Sequence, residues 1–280
     1  MDTNRRTEEE ISACFSGGTD STLAAYLMCQ RFKKVHLVTY IISAMGELGR
    51  CETHAKKLQN IFGKDKVTHE YMNIEDLFKK IYYGTYLHDI KKYKTYLPAL
   101  FCAACSFSWH IRTVIYNLEN NIRFACDGEQ GEETYVSEEK KIEGLKPMWS
   151  EQMIPVLKMV KDFYKGYGIT YENPVYHVER TDWELYELGF TDEKDFKLKG
   201  VASKKEKGFG TRYAHVKSTQ EKCTGAVIGN LYLLGYYLPL HGMEANERMS
   251  VEYYREKIEV GKKYIQDYFD KKGVDVRDLI

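Results

Sequence analysis

With 280 residues, 43% of them hydrophobic, the chain is long enough to bury a large core and too apolar to be disordered as a whole. Basic and acidic residues number 41 each, so the formal charge is zero and binding to nucleic acid would need a local basic patch. The charged N-terminus has no apolar signal region and no run reaches 18 apolar residues, so we expect no membrane partner. The odd number of cysteines, seven, favours thiols or metal ligands in a reducing, cytoplasmic setting over disulfides.

The first half of the chain alternates short apolar runs with stretches of helical spacing, which predicts a parallel α/β sheet. The predicted strands are Ile11–Phe15, Val35–Ile42, Val67–Asn73 and Ile122–Asp127, followed by a fifth candidate at Pro174–Val178. The predicted helices between them are Ser21–Phe32, Cys51–Phe62, Ile74–Tyr83 and Leu97–Leu118, with a polar connection at Lys91–Tyr96.

The remainder of the chain is predicted to be mostly helical. The predicted helices are Glu151–Tyr167, Trp183–Leu188, Asp192–Phe196, Thr219–Tyr237 and Val251–Lys271, with a lysine- and glycine-rich loop at Lys197–Arg212. We therefore expect an α/β domain over residues 1–170 and a helical region over 171–280 packed on it. The apolar side chains of Val251–Lys271 are spaced for a core or for the contact of a homodimer.

A glycine-rich bend follows the first predicted strand. Its residues are Ser16, Gly17, Gly18, Thr19, Asp20 and Ser21. The glycines let the backbone turn sharply, and the free N–H groups at the start of the next helix favour an anion such as a phosphate. Asp20 is expected to cap the helix or to hold a Mg²⁺ that bridges phosphates. No lysine follows the glycines, so the bend is not the GxxxxGK(S/T) loop; an ordinary strand-to-helix turn is the simpler alternative.

This bend resembles the SGGxDS pyrophosphate loop of the PP-loop ATP pyrophosphatases, a family that includes tRNA thiolases, NAD synthetase and GMP synthetase. The resemblance covers roughly residues 10 to 135 and implies a doubly wound, HUP/Rossmann-like sheet of about five strands with a helical C-terminal extension. It also implies that ATP is split between its α and β phosphates and that AMP is left on a substrate oxygen.

The resemblance further implies which residues border the nucleotide. Tyr40 and Ile41, at the end of the second predicted strand, would lie beside the adenine, and Gly128 would approach the nucleotide from the fourth. The family's common GHxxxD pattern is not matched at this point of the sequence. The acidic partner is therefore open among Asp127, Glu129 and Glu132.

A CxxC pair, Cys102 and Cys105, stands near the start of the predicted helix Leu97–Leu118. Residues three apart share a helical face, and a helix N-terminus favours the thiolates that bind soft metals. From the residues alone, two buried thiols, a metal site and a redox pair carrying persulfide all stay open. His110 on the same helix is a further candidate ligand, although a hydrogen-bonded structural histidine is favoured. The cysteines assigned to the core are Cys14, Cys29 and Cys51.

Several tRNA thiolases of the PP-loop family carry a CxxC at a similar distance from SGGxDS. The resemblance implies a three-thiolate site that holds a [4Fe-4S] cluster, with Cys102 and Cys105 as the first two ligands. Cys223 is the predicted third ligand, and Cys126 is its rival because it lies near the nucleotide. Zinc is the alternative metal, but structural zinc usually takes four protein ligands.

The predicted function is tRNA modification by an ATP-dependent sulfurtransferase, in which Asp20 and the three predicted thiolates are catalytic. The acceptor is a tRNA base or a small molecule, and the sulfur comes from sulfide or a sulfur-donor protein. One alternative is a ligase that uses a nitrogen nucleophile to form an amide or a nitrile, with structural cysteines. Another is a nucleotide-binding regulatory protein without turnover. The basic stretch Lys199–Arg212 could close over phosphates or contact RNA, or be a solvated loop.

Overall fold

The computed structural model describes residues 6–45, 48–95, 100–129, 131, 153–178, 181–191 and 223–280. Its strands are β1 (Arg6–Cys14), β2 (Phe32–Ile41), β3 (Val67–Asn73), β4 (Phe124–Cys126) and β5 (Thr170–Glu172). They form one parallel sheet in the order β3-β2-β1-β4-β5. Strand order therefore reverses between β1 and β4, which makes the carboxyl ends of these two strands the place where open α/β sheets bind ligands.

Helices cover both faces of this sheet. They are α1 (Thr19–Arg31), α2 (Gly49–Phe62), α3 (Glu75–Tyr82), α4 (Tyr86–Tyr93), α5 (Phe101–Glu119), α6 (Ile154–Lys165), α7 (Thr181–Glu187), α8 (Thr224–Tyr232) and α9 (Leu238–Asp270). A π-helical turn at Leu233–Tyr237 joins α8 to α9, and a 3-10 turn at Val276–Leu279 follows α9. The predicted fold, a doubly wound parallel sheet of five strands with a helical C-terminal region, is confirmed.

Two hydrophobic cores lie on the two sides of the sheet. Ile11 and Ala13 of β1 contribute to the core beneath α1 and α2, which also takes residues of α7. Cys14 of β1 contributes to the other core, which is built with α3, α5, α6 and α9. The alternation follows from the period of two in a strand, and both faces are apolar because helices cover both.

A buried asparagine fixes α5 on the sheet. The Asn117 Oδ1 accepts a hydrogen bond of 2.6 Å from the Ser12 hydroxyl of β1, and its Nδ2 donates one of 3.0 Å to the carbonyl of Phe124 in β4. Because helices run antiparallel to the strands they follow, the N-terminus of α5 comes to the carboxyl edge of the sheet. The CxxC pair is thereby placed at the same edge as the glycine bend.

The fifth strand is not where the sequence predicts it. The structure has it at Thr170–Glu172 rather than at Pro174–Val178, which forms a turn. Pairing with β4 decides this, because the Thr170 N–H donates to the Arg123 carbonyl at 2.9 Å, whereas a proline has no N–H to donate. The domain boundary at residue 170 stays a prediction, and β5 beyond it belongs to the same sheet.

The polar connection predicted at Lys91–Tyr96 is in part helical, since α4 continues to Tyr93. Its buried residues explain the helix: Asp89 is 1% exposed and receives the Lys257 ammonium of α9 at 2.8 Å. The Tyr93 hydroxyl donates to Glu256 of α9 at 2.6 Å. A tertiary partner thus stabilises a helix that the local sequence does not favour.

The C-terminal helix is longer than predicted, because α9 begins at Leu238 and contains one non-helical residue, Gly242. Tyr254, Ile265 and Phe269 are buried, so the apolar face predicted for a core or a dimer belongs to the core. No helix of the described part of the chain is both long and apolar enough to cross a bilayer. The helix predicted at Asp192–Phe196 and the loop at Lys197–Arg212 lie outside the described residues.

Replacing Lys257 by methionine should destabilise the fold strongly. The change leaves the buried Asp89 carboxylate without its counter-charge, and one Asp89 oxygen already lacks a hydrogen-bond partner. We expect a loss of about 3–5 kcal/mol in the free energy of unfolding, measured by urea titration.

Lys262→Met is the matched control, because Lys262 pairs with Glu259 on the exposed face of the same helix. It should cost at most about 0.5 kcal/mol. Equal effects of the two substitutions would contradict a stabilising role for the buried pair.

Candidate active site

The glycine bend packs backbone against backbone on the start of α2. Gly17 has a φ of 72°, and a Cβ placed there would lie 2.6 Å from the amide nitrogen of Cys51. The Cys51 thiol also donates to the Ser16 carbonyl at 3.0 Å. Position 17 therefore excludes every side chain, by backbone conformation and by lack of space.

Hydrogen bonds within the bend give it a defined shape. The hydroxyls of Ser16 and Ser21 lie 3.1 Å apart, and the Ser21 hydroxyl oxygen accepts from the Ser16 N–H at 3.3 Å. The Thr22 N–H donates to the Gly18 carbonyl at 3.0 Å, which begins α1. The earlier N–H groups of that helix have no partner within it and are available to an anion.

The segment after β4 closes the bend from the other side. A Cβ at Gly128 would lie 2.4 Å from the Ser21 amide nitrogen and 2.6 Å from the Asp20 carbonyl carbon. The end of β4 can reach the first turn of α1 only because residue 128 has no side chain. Contact of Gly128 with a nucleotide stays a prediction. Gly128 itself packs on the loop that would hold the phosphates.

Asp20 is held by a residue that the sequence did not indicate. The Thr181 hydroxyl, at the start of α7, donates to the Asp20 carboxylate, as does Thr19 at 3.4 Å. Burial raises the pKa of the Asp20 carboxyl above its ordinary value, and the two hydroxyl hydrogen bonds oppose that rise. A cation beside this carboxylate would offset the cost of burying its charge.

Tyr40 and Ile41 end β2 with their side chains on opposite faces. The Tyr40 side chain points into the core under α5, where its hydroxyl lies 2.7 Å from that of Thr113. Ile41 is half-buried, and its carbonyl accepts from the Ile74 N–H at 3.0 Å. Contact of the two residues with an adenine stays a prediction. For Tyr40 such a contact would involve its backbone atoms, because its side chain lies in the core.

Asp127, one of the three candidate acids, is held by three hydrogen-bond donors. Its carboxylate accepts hydrogen bonds from the Tyr171 hydroxyl, from the Asn173 amide at 2.8 Å and from the Glu129 N–H at 3.0 Å. Two of these donors follow from the position of β5, which the sequence misplaced. Glu132 lies outside the described residues.

His110 is a structural residue. Its Nδ1 lies 3.1 Å from the Tyr164 hydroxyl, and its ring meets Tyr164 and Tyr171 edge to face. Burial lowers the pKa of His110 to about 4, so the ring is neutral near neutral pH. The structure supports the hydrogen-bonded histidine over the metal ligand.

The segment that begins at Cys223 packs beside the start of α5, although the two are far apart in the chain. It forms an isolated antiparallel bridge with Met45, and the next residue, Thr224, donates its N–H to the Ala44 carbonyl at 3.0 Å. A Cβ at Gly225 would lie 2.1 Å from the ring of Phe101, the residue before Cys102. The start of α8 thus rests on the start of α5, where Cys102 is half-buried and Cys105 is buried.

Cys126 lies on the opposite face of the sheet. It belongs to the core beneath α1 and α2, whereas Cys105 belongs to the core beneath α5. Burial raises the pKa of Cys126 well above its ordinary value, and it raises those of Cys14 and Cys29 to about 12. These thiols, like the buried Cys51, have the surroundings of core residues. The sheet therefore separates Cys126 from Cys105, and Cys223 as the third ligand stays a prediction.

The spacing of the thiols bears on the metal. Within the described residues, His88, Asp89 and Glu256 form a group whose metal-ligating atoms all lie within 4.8 Å of one another. The three cysteines do not form so compact a group, although three thiolates on one zinc at 2.3 Å would stand roughly 3.8 Å apart. Thiolates of a [4Fe-4S] cluster bind separate irons and stand further apart. The choice between a cluster and a single zinc ion stays a prediction.

The doubly wound sheet and the glycine bend together define a nucleotide-binding α/β domain. The bend, which is suited to an anion, lies where the order of the strands reverses. Residues 9–126 match the family model of the tRNA methyl transferase HUP domain. This match confirms the resemblance to the PP-loop ATPases over that segment and supports the use of ATP. No curated protein matches the chain.

Several solved structures are similar to the chain, among them the following three. The first is a predicted subunit of tRNA methyltransferase from Methanocaldococcus jannaschii, with 19% identity, a TM-score of 0.34, and coverage of 61% of this chain and 69% of that one. The second is a 4-thiouridine synthetase in complex with RNA and bound ATP, with 12% identity, a TM-score of 0.42, and coverage of 87% and 53%. The third is the U34-tRNA thiolase NcsA from Methanococcus maripaludis with its [4Fe-4S] cluster, with 14% identity, a TM-score of 0.39, and coverage of 92% and 74%.

The low pKa of His110 predicts a pH dependence of stability. The folded pKa of about 4 lies below the ordinary 6.5, so stability is fully present above pH 6.5 and is lost as the pH falls toward 4. The contribution is on the order of 3 kcal/mol. His110→Phe should remove this part of the slope, measured as the free energy of unfolding between pH 4 and 7.

His88→Gln is the control for the loss of a histidine as such, because His88 lies on the exposed side of α4 and not in the core. An unchanged slope in His110→Phe would show that His110 titrates normally in the folded protein.

Proposed function

We propose that this chain is an ATP-dependent enzyme that adenylates a carbonyl oxygen of its acceptor and exchanges that oxygen for sulfur. The observation that carries the proposal is the meeting of two features at one edge of the sheet. One is the bend with its contacts at Gly17 and Gly128, where no Cβ fits. The other is the packing of the start of α8, next to Cys223, on the start of α5, which carries Cys102 and Cys105. A phosphate loop alone would serve many reactions, and the thiols narrow the choice to sulfur.

The first step is adenylation. The amides and hydroxyls of Ser16 to Ser21 bind the β and γ phosphates, and Asp20 would hold a Mg²⁺ that offsets their charge. The acceptor oxygen attacks the α-phosphorus, the bond from that phosphorus to the bridging oxygen breaks, and pyrophosphate leaves. The fixed N–H groups stabilise the leaving charge without having to reorganise.

The second step is the exchange of oxygen for sulfur. A sulfide nucleophile attacks the activated carbon, the carbon–oxygen bond breaks, and the oxygen leaves with AMP, so that a thiocarbonyl forms. Cys102, Cys105 and Cys223 would hold a [4Fe-4S] cluster, whose iron without a protein thiolate supplies a binding place for sulfide. A persulfide on the CxxC pair is the other form in which the thiols could carry sulfur.

The matched family is that of a tRNA methyl transferase HUP domain, which favours a tRNA base over a small molecule as the acceptor. The sulfur source would be free sulfide or a donor protein. A ligase that uses nitrogen would give Cys102, Cys105 and Cys223 no part in its chemistry. We therefore rank sulfur transfer above it.

Gly128→Ala should weaken nucleotide binding. The added methyl group would push the end of β4 away from Ser21 and so open the bend. We expect the dissociation constant of a nonhydrolysable ATP analogue, measured by calorimetry, to rise roughly tenfold or more.

Gly49→Ala is the matched control, since a Cβ at Gly49 would have no atom within 4 Å. Its affinity should stay within about twofold of the wild type. If the wild type fails to bind the analogue, the assignment of the bend falls; equal affinity of both variants would sink only the role of Gly128.

Anaerobically prepared Cys223→Ala should lose most of its iron and acid-labile sulfide. Cys126→Ala should keep both, because Cys126 lies in the opposite core. Iron and sulfide analysis together with the visible absorption spectrum measures the difference. A wild type that carries zinc and no sulfide would favour nitrogen transfer with structural cysteines. Retention of the cluster in Cys223→Ala with its loss in Cys126→Ala would reverse the ligand assignment.

A further inference from the structure

One side of the segment from α8 to the start of α9 is exposed and apolar. Its large side chains, which we call the apolar strip, are Val227, Ile228, Leu231, Leu234, Tyr236 and Leu240. Leu231 is 69% exposed, and the other five lie between 46% and 62%. Residues 224–243 contain no lysine, arginine, aspartate or glutamate. An exposed helical segment of this length without a charge needs an explanation, because solvated helix faces are normally polar.

The strip is not the face by which the segment packs on its own domain. That face is formed by Leu233 and Tyr237, which are buried in the core beneath α5. The segment is therefore apolar on two sides, one turned to the core and one turned away from it. A helix that is apolar all round is usually covered all round.

The size of the strip suits an interface between proteins. Six side chains exposed to this degree present on the order of 600 Å² of largely apolar surface, at the upper end of what a monomer exposes. A standard interface buries about 800 Å² on each partner, and its centre is poor in charge and rich in aromatic residues. Two copies of the strip would together bury about 1,200 Å², which is the lower end of the range for specific interfaces.

We propose that the apolar strip is the contact between two copies of this chain, related by a two-fold axis. A second copy brings the same charge-free surface, as an isologous contact requires. The formal charge of zero removes the long-range repulsion that would oppose self-association. The proposal does not depend on the sulfur chemistry.

Other parts of this chain match the strip poorly in composition. In residues 192–222, 14 of 31 residues are charged, and in residues 132–152 the count is 9 of 21. Laying such a segment on the strip would cost the desolvation of charges that find no partner there. Because α8 begins directly after Cys223, contact between two copies would also stabilise the helix that presents this cysteine.

The test is the mass of the full chain in solution as a function of concentration, by sedimentation equilibrium. The wild type should be a dimer at micromolar concentration, and Leu231→Glu should raise its dissociation constant about a hundredfold or more. Val227→Glu, at the other end of α8, should act in the same direction and serves if the first variant fails to fold. Leu87→Glu is the matched control, because Leu87 is a 61% exposed leucine on α4.

Four results would overturn the proposal. A wild type that stays monomeric at about 100 μM would do so, as would a dimer that survives both strip substitutions. A monomeric wild type whose unfolding temperature drops in Leu231→Glu would show that the chain covers its own strip. A monomer that floats with phosphatidylcholine vesicles only when Leu231 is intact would assign the strip to a lipid surface.

Discussion

The site depends on the close approach of three backbone segments where the order of strands reverses. The bend after β1 touches the start of α2 at Gly17, and the segment after β4 touches the start of α1 at Gly128. Neither contact leaves room for a Cβ, so these two glycines set the distance between β1, β4 and the helices around them. The N–H groups of α1 can face a phosphate chain only while those distances hold.

Helix α5 connects the two halves of the candidate site. Asn117 near its C-terminus joins β1 to β4, and Phe107 in its middle packs against rings of α6 and α9. The helix is therefore held along its length, and its first turn carries Cys102 and Cys105. A shift of α5 along the sheet would break the Asn117 hydrogen bonds, so the fold fixes the thiols relative to the bend.

Charged side chains have different surroundings in the core and at the carboxyl edge of the sheet. In the core, Lys257 and Asp89 are paired and His110 is neutral, because an unpaired charge there would be costly. At the carboxyl edge, Asp20 and Asp127 present carboxylates close to the bend. Carboxylates beside a polyphosphate need a cation between them, which is why the proposed chemistry includes Mg²⁺.

The sequence by itself determined the parallel sheet, the glycine bend and the CxxC pair, because strand and helix periods and glycine conformations are local properties. It placed β3 with the bounds that the structure has. It misplaced β5 and missed α4, because β5 is defined by pairing with β4 and α4 by ion pairs with α9. Only the tertiary structure brought Thr181 to Asp20 and the start of α8, next to Cys223, to the start of α5. Those contacts join residues far apart in the chain, and whether they form depends on which face of the sheet each side chain occupies.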